Sequence, residues 1–345
     1  MEYGIDLLSM SPDEISGVMI ELGEPRFRAT QLFEWLHSKR AESFDEMTNM
    51  PKNLRDKLGE RCGITVLEVK DKQVSSDGTV KYLFALADDN CVETVVMRYS
   101  HGVSVCLSTQ AGCGMGCVFC ASAEGGKIRD LAASEMLAQL YGVCREENIR
   151  ASNVVLMGIG EPLDNFDNTM RFCDILTHEK GYDIAGRAIT ISTCGIVPRI
   201  YELADQKRQL TLSVSLHAAD DAARSAIMPV NRKYPLKELM AACRYYFEKT
   251  GRRITFEYAV IHGTNDFELD AAKLARLIAG TGAHVNLIPV NPVRGREFSA
   301  SRGDAAAFAE LLAKHSINAT VRRTLGADID AACGQLRKRS ADKTQ

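Results

Sequence analysis

The chain has 345 residues, of which 46% are hydrophobic and 25% are charged, proportions that are ordinary for a globular protein. No apolar run approaches the roughly 20 residues that a membrane-spanning helix needs, and the first ten residues lack the basic and apolar segments of a signal peptide. We therefore expect a cytoplasmic protein without a membrane partner. The net charge of −3 gives no overall attraction for nucleic acids, so any such contact would come from local basic patches.

Residues 1–60 predict a helical domain. Ser11 is a suitable N-cap residue, and Glu14 stands where a capping box places an acid. Thr30 and Pro51 are expected to begin a second and a third helix. The period of the hydrophobic residues then changes from helical to alternating, which ends this domain.

Residues 61–98 predict a small antiparallel β extension. Three segments rich in β-branched residues, at 65–74, 79–87 and 91–97, are separated by short turns that contain Asp, Asn, Ser and Gly. Such short spacings are typical of strands joined by hairpins.

From residue 99 to residue 330, short apolar strands alternate with amphipathic helices, which indicates a parallel sheet with helical crossovers. Six strands are predicted, at 103–108, 153–157, 188–192, 210–216, 253–260 and 284–290. The expected fold class is therefore α/β, in the form of a partial (β/α)6 barrel, and the pattern leaves an open doubly wound sheet as an alternative. A C-terminal segment, 331–345, follows this core.

Three of the 11 cysteines, Cys113, Cys117 and Cys120, lie within eight residues after the first of these strands. The odd number of cysteines and the lack of a signal peptide argue against a framework of structural disulfides. Three thiolates at this spacing can hold a 4Fe–4S cluster and leave one iron, which a fourth cysteine normally binds, open to a substrate. A zinc site, which needs four closed ligands, is the alternative.

Glycine and polar residues follow several of the predicted parallel strands, at the edge of the sheet where ligands bind. Gly160 would let the backbone approach a ligand, and the Glu161 carboxylate could accept hydrogen bonds from an ammonium group. The same edge is expected to present Ser192, Ser215, Leu216, His217 and Asn291. Each of these residues could instead cap a turn, but together they favour a binding site.

The cysteine spacing resembles the signature of the radical S-adenosylmethionine superfamily, whose partial (β/α)6 barrel binds S-adenosylmethionine at the open iron and along this rim. Nearly the whole chain resembles one family within it, the RlmN/Cfr family of RNA adenine methyltransferases. The matching segments include VETV, CLSTQAGCGMGCVFCAS, MGIGEP, ISTCGIVP, SVSLHA, VNLIPVNP and DIDAACGQL. Pro162 after Glu161 favours the RlmN branch, because Cfr-type members carry alanine there.

This resemblance implies a mechanism that uses two further cysteines and two molecules of S-adenosylmethionine per turnover. One molecule methylates Cys333, and the other is cleaved to a radical that removes a hydrogen from the S-methyl group. The resulting carbon radical adds to the adenine, Glu93 accepts a proton, and Cys106 attacks the sulfur of Cys333. Product release leaves a disulfide. Without the resemblance, Glu93 would be interpreted as an edge-strand charge that faces water.

The resemblance also implies the substrates and partners. The methylated atoms would be carbon 2 of an adenosine in the peptidyl-transferase region of 23S rRNA and of an adenosine in some tRNAs, with carbon 8 of the rRNA adenosine as the alternative. The helical domain would dock RNA, with phosphate contacts from Arg26, Arg28, Lys39 and Arg40. A low-potential electron donor such as flavodoxin or ferredoxin and a monomeric state are expected.

Two other classes of protein remain as alternatives. One is a zinc-bearing RNA-binding protein without enzymatic activity. The other is a different radical enzyme, such as a glycyl-radical activase or a sulfur-inserting enzyme, in which Cys106 and Cys333 would be dispensable.

Overall fold

The computed structural model describes residues 4–289, 302–323, 325–326 and 328–329. The strands are β1 (Ile5–Asp6), β2 (Cys62–Gly63), β3 (Glu68–Val74), β4 (Val80–Ala85), β5 (Cys91–Tyr99), β6 (Gly102–Cys106), β7 (Gln110–Gly112), β8 (Lys127–Asp130), β9 (Asn153–Leu156), β10 (Ile189–Thr193), β11 (Thr211–Ser215), β12 (Thr255–Val260), β13 (His284–Pro289) and β14 (Ala319–Val321). The helices are α1 (Pro12–Glu21), α2 (Phe27–Phe33), α3 (Lys52–Arg61), α4 (Ala133–Glu146), α5 (Phe166–Thr177), α6 (Val197–Asp205), α7 (Asp221–Ile227), α8 (Leu236–Thr250), α9 (Glu268–Ile278) and α10 (Arg302–Lys314).

Ten strands form one mixed sheet in the order β14-β13-β12-β11-β10-β9-β6-β5-β4-β3. The strands from β14 to β6 pair in parallel, and helices lie between them along the chain. Within the described ranges β3 and β14 are the two ends of this order. The predicted α/β fold is confirmed, and the six predicted strands are present. The sequence does not predict β14, because three residues are too few to show a period.

The antiparallel extension continues the same sheet. Strands β3, β4 and β5 pair antiparallel, and β5 pairs antiparallel with β6, the first strand of the parallel part. Residues opposite each other in register point to the same face of a sheet. Lys81, Val95 and Cys106 are such partners across β4, β5 and β6. Lys81 and Val95 therefore lie on the sheet face that Cys106 occupies, together with every second residue of their strands.

The N-terminal helices form largely as predicted. The Ser11 hydroxyl accepts a hydrogen bond from the Glu14 N–H at 3.3 Å, and the Glu14 carboxylate accepts one from the Ser11 N–H at 2.7 Å. Helix α3 follows Pro51 as expected. Helix α2 starts at Phe27, before the predicted start at Thr30, because the carbonyl groups of the two residues before Phe27 already accept helical hydrogen bonds.

One contiguous hydrophobic core extends from Leu7, near the N-terminus, to Leu312 in α10. Polar contacts also join the N-terminal helices to the rest of the chain. Arg171 forms an ion pair with Glu14 at 2.7 Å, and Nδ1 of His37 lies 3.1 Å from the Tyr141 hydroxyl. Over the part of the chain that the structure describes, no helix is both long and apolar enough to span a membrane.

Candidate active site

A cavity of about 360 Å³ lies against the sheet and extends from the antiparallel strands to β13. Its lining includes nine of the residues that the sequence singles out: Cys106, Cys113, Cys117, Cys120, Gly160, Glu161, Ser192, Ser215 and His217. A volume of this size suits a small-molecule ligand. The structure thus brings most of the predicted site residues to one place.

The cysteine loop is held at its base by a two-stranded hairpin that the sequence does not predict. Strands β7 and β8 pair antiparallel on either side of the loop, and the Cys113 N–H donates a hydrogen bond to the Gly126 carbonyl at 3.0 Å. Gly116, between the first two cysteines, has a φ of +68°, a conformation that costs glycine little. The hairpin and this turn fold the three cysteines against the cavity.

The three thiols are partly shielded from water, since Cys113 is buried and Cys117 and Cys120 are half-buried. Burial, with repulsion from the neighbouring thiolates, raises the pKa of Cys113 to about 11 and that of Cys117 to about 12. Buried thiols with such values ionise only when a cation stabilises the thiolates. This donor set therefore suits a strongly positive group such as the iron of a cluster.

Gly160 and Glu161 contact protein groups on the cavity wall. A Cβ at Gly160 would lie 2.7 Å from the Gln110 backbone nitrogen, so the glycine is required by packing of one loop on another. The buried Glu161 carboxylate accepts hydrogen bonds from the N–H groups of Cys194 (2.7 Å) and Leu163 (3.0 Å). Burial raises the pKa of Glu161 and these bonds oppose that shift. Glu161 retains acceptor sites toward the cavity, since a carboxylate offers about four lone pairs.

His217 is neutral and fixed in one tautomer. Its Nδ1 accepts a hydrogen bond from the Ala259 N–H at 2.9 Å, which leaves the proton on Nε2. Burial, with the nearby charge of Arg224, lowers the pKa of His217 to about 3. Leu216 is fully buried in the core and is not among the residues that line the cavity. Asn291 lies outside the described residues.

The side chain of Arg224, in α7, joins the ends of two neighbouring strands. It is fully buried, and Nη2 donates hydrogen bonds to the carbonyl oxygens of Cys194 at 2.7 Å and Ser215 at 2.9 Å. Nε donates to the Leu216 carbonyl at 3.1 Å, and Nη1 donates to Oδ1 of Asn231 at 2.9 Å. Arg224 therefore fixes the loops after β10 and β11, which carry several of the predicted rim residues.

On the antiparallel side of the cavity, Cys106 and its register partner Val95 both belong to the lining. Glu93 precedes Val95 by two residues on β5 and therefore points to the same face. Glu93 is buried, so its interpretation as a solvent-facing charge is wrong, and it forms an ion pair with the fully buried Lys81 at 2.9 Å. Cys333, the predicted partner of Cys106, lies outside the described residues.

The structure also reveals buried polar residues for which the sequence pattern gives little signal. Glu257, in β12, lines the cavity and accepts hydrogen bonds from Ser213 and Asn286, each at 2.8 Å. Burial raises its pKa. Gln110 accepts a hydrogen bond from the Glu161 N–H at 2.8 Å and thereby links the cysteine hairpin to the loop after β9. Glu257 stands between two aromatic residues of its strand, and Gln110 directly follows Ser108 and Thr109, so alternation along the sequence marks neither residue as part of a site.

Two family models match this sequence. Residues 5–64 match the ribosomal RNA large subunit methyltransferase N-terminal domain, and residues 107–275 match the radical SAM superfamily. The second range contains the three clustered cysteines and most of the cavity.

Full-length relatives are similar at high identity. A probable dual-specificity RNA methyltransferase RlmN of Lachnospira eligens is 50% identical over 336 residues, which are 97% of this chain and 96% of that protein. The protein of the same name from Alkaliphilus oremlandii is 51% identical over 337 residues, which are 97% and 98% of the two chains. The crystal structure of a radical SAM methyltransferase from Sphaerobacter thermophilus matches with a TM-score of 0.92 and 43% identity, covering 96% of this chain and 98% of that one.

Proposed function

Because this chain belongs to the RlmN family of radical S-adenosylmethionine RNA methyltransferases, we propose that it methylates carbon 2 of adenosine in two RNAs. The first is an adenosine in the peptidyl-transferase region of 23S rRNA, and the second is an adenosine in some tRNAs. The names of the relatives, which describe dual specificity for RNA, support this proposal. The observation that carries the mechanism is that Cys106 lines the same cavity as the three clustered cysteines.

As a member of this family the enzyme uses a 4Fe–4S cluster and S-adenosylmethionine. Cys113, Cys117 and Cys120 would hold the cluster, since all three line one cavity and lie within the range that matches the radical SAM superfamily. When bound, the cluster supplies the electron for reductive cleavage of S-adenosylmethionine. Gly160, Glu161, Ser192, Ser215, Leu216, His217 and Asn291 would bind that cofactor, Glu161 as an acceptor for its ammonium group.

The chain's own residues would carry the methyl group and release the product. Cys333 accepts a methyl group on sulfur, loses a hydrogen atom from it, and becomes linked to the adenine when the resulting carbon radical adds to the base. The radical adduct gives up one electron, for which the oxidised cluster would be the acceptor. Glu93 accepts the proton lost from the base, a role that suits a carboxylate on the sheet face that borders the cavity, with the Lys81 ammonium 2.9 Å away. The Cys106 thiolate then attacks the sulfur of Cys333, the sulfur–carbon bond breaks, and the carbon leaves with the electron pair and takes up a proton. The Cys106–Cys333 disulfide is reduced before the next turnover.

The N-terminal helices would dock the RNA. Arg26 and Lys39 are exposed, so their cations are available to phosphates. Arg28 and Arg40 are half-buried, and Arg40 donates a hydrogen bond to the Ile149 carbonyl at 3.3 Å. We expect the RNA contacts to come mainly from the exposed pair. The proposal includes a cytoplasmic monomer that receives electrons from a flavodoxin or ferredoxin.

The decisive experiment uses enzyme loaded with iron and sulfide under anaerobic conditions, with a reductant, S-adenosylmethionine and a 23S rRNA fragment. Mass spectrometry with chromatographic standards for 2-methyladenosine and 8-methyladenosine identifies the product. We expect 2-methyladenosine from the wild type, no methylated base from Cys333→Ala, and a covalent protein–RNA adduct from Cys106→Ala. Cys91→Ala, on β5 outside the cavity lining, is the matched control and should retain activity.

Three different results of this experiment would each support one of the alternative functions. 8-Methyladenosine would assign the carbon-8 activity. Product formation that survives both cysteine substitutions would indicate a different radical enzyme. Protein that binds zinc but neither iron nor sulfide would exclude the cluster.

A further inference from the structure

Arg224 carries a positive charge that no carboxylate of the described residues neutralises directly. Its side chain is fully buried, and its hydrogen bonds go to three carbonyl oxygens and one amide oxygen, all uncharged. Among the residues that the structure describes, no carboxylate forms an ion pair with it. Burial of a charge without an opposite charge is costly. A negatively charged group near the buried guanidinium would therefore reduce the energetic cost of burying it.

The carboxylate of Asp221 is the acid linked to this site, but only indirectly. Its Oδ1 accepts a hydrogen bond from the Asn231 amide at 2.9 Å, and that amide's oxygen contacts Arg224. Asp221 is exposed, so water screens much of its charge. Asp221 therefore offsets only part of the positive charge of Arg224.

The cysteine loop packs against the helix that carries Arg224. The Val118 N–H donates a hydrogen bond to the carbonyl of Ile227, the last residue of α7, at 3.0 Å. Cys194, whose carbonyl accepts a hydrogen bond from Arg224, belongs to the apolar cluster that contacts Cys117. The loops that Arg224 holds therefore pack directly against the cysteine loop.

We propose that Arg224 is a positioning residue with two separable effects on the cofactors. Its charge compensates the negative charge of the three thiolates and the reduced cluster, and its hydrogen bonds hold the loops after β10 and β11 that bind S-adenosylmethionine. One-electron reduction adds a negative charge to the cluster, so a buried cation nearby raises the reduction potential. This proposal requires that the enzyme binds the cluster and S-adenosylmethionine, but it does not depend on which carbon of which RNA is methylated.

Two substitutions separate charge from geometry. Arg224→Gln removes the charge and most of the hydrogen bonds, whereas Arg224→Lys keeps the charge and cannot reach all four acceptors. The cluster's midpoint potential is measured by redox titration followed by electron paramagnetic resonance, and S-adenosylmethionine binding by calorimetry. Iron content and circular dichroism establish that each variant is folded and loaded. Arg244→Gln, at an exposed position on α8, is the control.

We expect Arg224→Gln to shift the midpoint potential to more negative values, and Arg224→Lys and Arg244→Gln to leave it at the wild-type value. Both Arg224 variants should bind S-adenosylmethionine roughly tenfold more weakly, the effect of losing one or two hydrogen bonds. A wild-type potential in loaded Arg224→Gln would overturn the charge role. Wild-type affinity in both variants would overturn the positioning role.

A second variant tests the charge role if Arg224→Gln fails to fold. Asp221→Asn is isosteric, and its side-chain oxygen can still accept the hydrogen bonds from Asn231 and the Leu236 N–H. It leaves more of the Arg224 charge uncompensated, so the midpoint potential should move to less negative values. An unchanged potential, or a shift in the opposite direction, would contradict the proposal.

Discussion

The buried pair of Lys81 and Glu93 shows how one residue's environment decides its chemistry. Both side chains are almost completely withdrawn from water, and their charged atoms lie 2.9 Å apart. Transfer of two charges from water into a protein costs several kcal/mol each, and the attraction between them offsets much of that cost. The pair therefore places the Glu93 carboxylate on the sheet face that borders the cavity, in the position that its proposed role as proton acceptor requires.

Substitution of one partner at a time tests this arrangement. Lys81→Met should destabilise the protein by about 3–5 kcal/mol, because it leaves a buried carboxylate without its ammonium partner. Lys81→Met with Glu93→Gln should recover most of that loss in guanidinium unfolding. Glu93→Gln alone should lower methylation by a factor of roughly 100 or more, the usual effect of losing a general base.

The unfolding free energy tests the ion pair, and the methylation activity tests the role of Glu93, so the two measurements are independent. Glu93→Asp, which keeps the charge, is the matched control and should be more active than Glu93→Gln. Equal stability of Lys81→Met and the double variant would contradict the energetic coupling of the pair. Full activity of Glu93→Gln would exclude Glu93 as the proton acceptor.

Single residues of the site differ in how far the sequence predicts them. The three clustered cysteines were predictable because core packing does not place three cysteines within eight residues. Arg224 and Lys81 were not, since a lone basic residue in a helix or strand is usually solvated and only the tertiary fold buries it. Glu93 was interpretable only through family resemblance, because alternation along a strand does not say which face is covered.

At the scale of elements, the region of helix α2 presents two kinds of basic residue. Arg26 is exposed, and Lys39 is exposed with its ammonium 3.5 Å from the centre of the Trp35 ring. Arg40 is half-buried and bonds to the Ile149 carbonyl. The first two can reach a phosphate without breaking an internal hydrogen bond, whereas Arg40 fixes the helices to the core.

The salt dependence of RNA binding distinguishes these roles. Arg26→Ala and Lys39→Ala should each weaken binding to a 23S rRNA fragment and reduce the slope of log K against log salt by about one. Arg40→Ala should leave the slope unchanged. Filter binding at several salt concentrations measures both, with Lys237→Ala on the exposed side of α8 as the control. If the slope of log K against log salt in the Arg26 and Lys39 variants equals that of the wild type, other residues contact the phosphates.

Elements with a strong period were predictable, and short or context-dependent ones were not. The capping box at Ser11 and the six parallel strands follow from local sequence. Strands β7 and β8 have only three and four residues, which are too few to show a period. Their pairing joins residues on either side of the cysteine loop, and hydrophobic periodicity cannot predict such a non-local contact. The continuity of the antiparallel extension with the parallel sheet depends on the β5–β6 pairing, which is likewise non-local.

At the scale of the whole molecule, the N-terminal helices and the rest of the chain share one hydrophobic core. His37 stands at their junction, with no exposed surface and its ring 4.4 Å from that of Phe33. Its Nδ1 is 3.1 Å from the hydroxyl of Tyr141 in α4, and its Nε2 has no hydrogen-bond partner in the part of the chain that the structure describes. A charged imidazolium at this position would be unsolvated, so folding requires the neutral ring.

This requirement makes the stability of the molecule depend on pH. Burial lowers the pKa of His37 from 6.5 to about 3 in the folded state, so the unfolded chain binds the extra proton below pH 6.5. The stabilisation is present above pH 6.5 and is lost as the pH falls toward 3, by about 1.4 kcal/mol for this histidine at pH 5.5. His37→Gln should therefore reduce the loss of unfolding free energy between pH 7.5 and pH 5.5 by that amount, as measured by guanidinium unfolding of the apoprotein. His101→Gln, at an exposed position, should leave the loss unchanged, and an equal pH dependence of wild type and His37→Gln would show that the junction admits the charged ring.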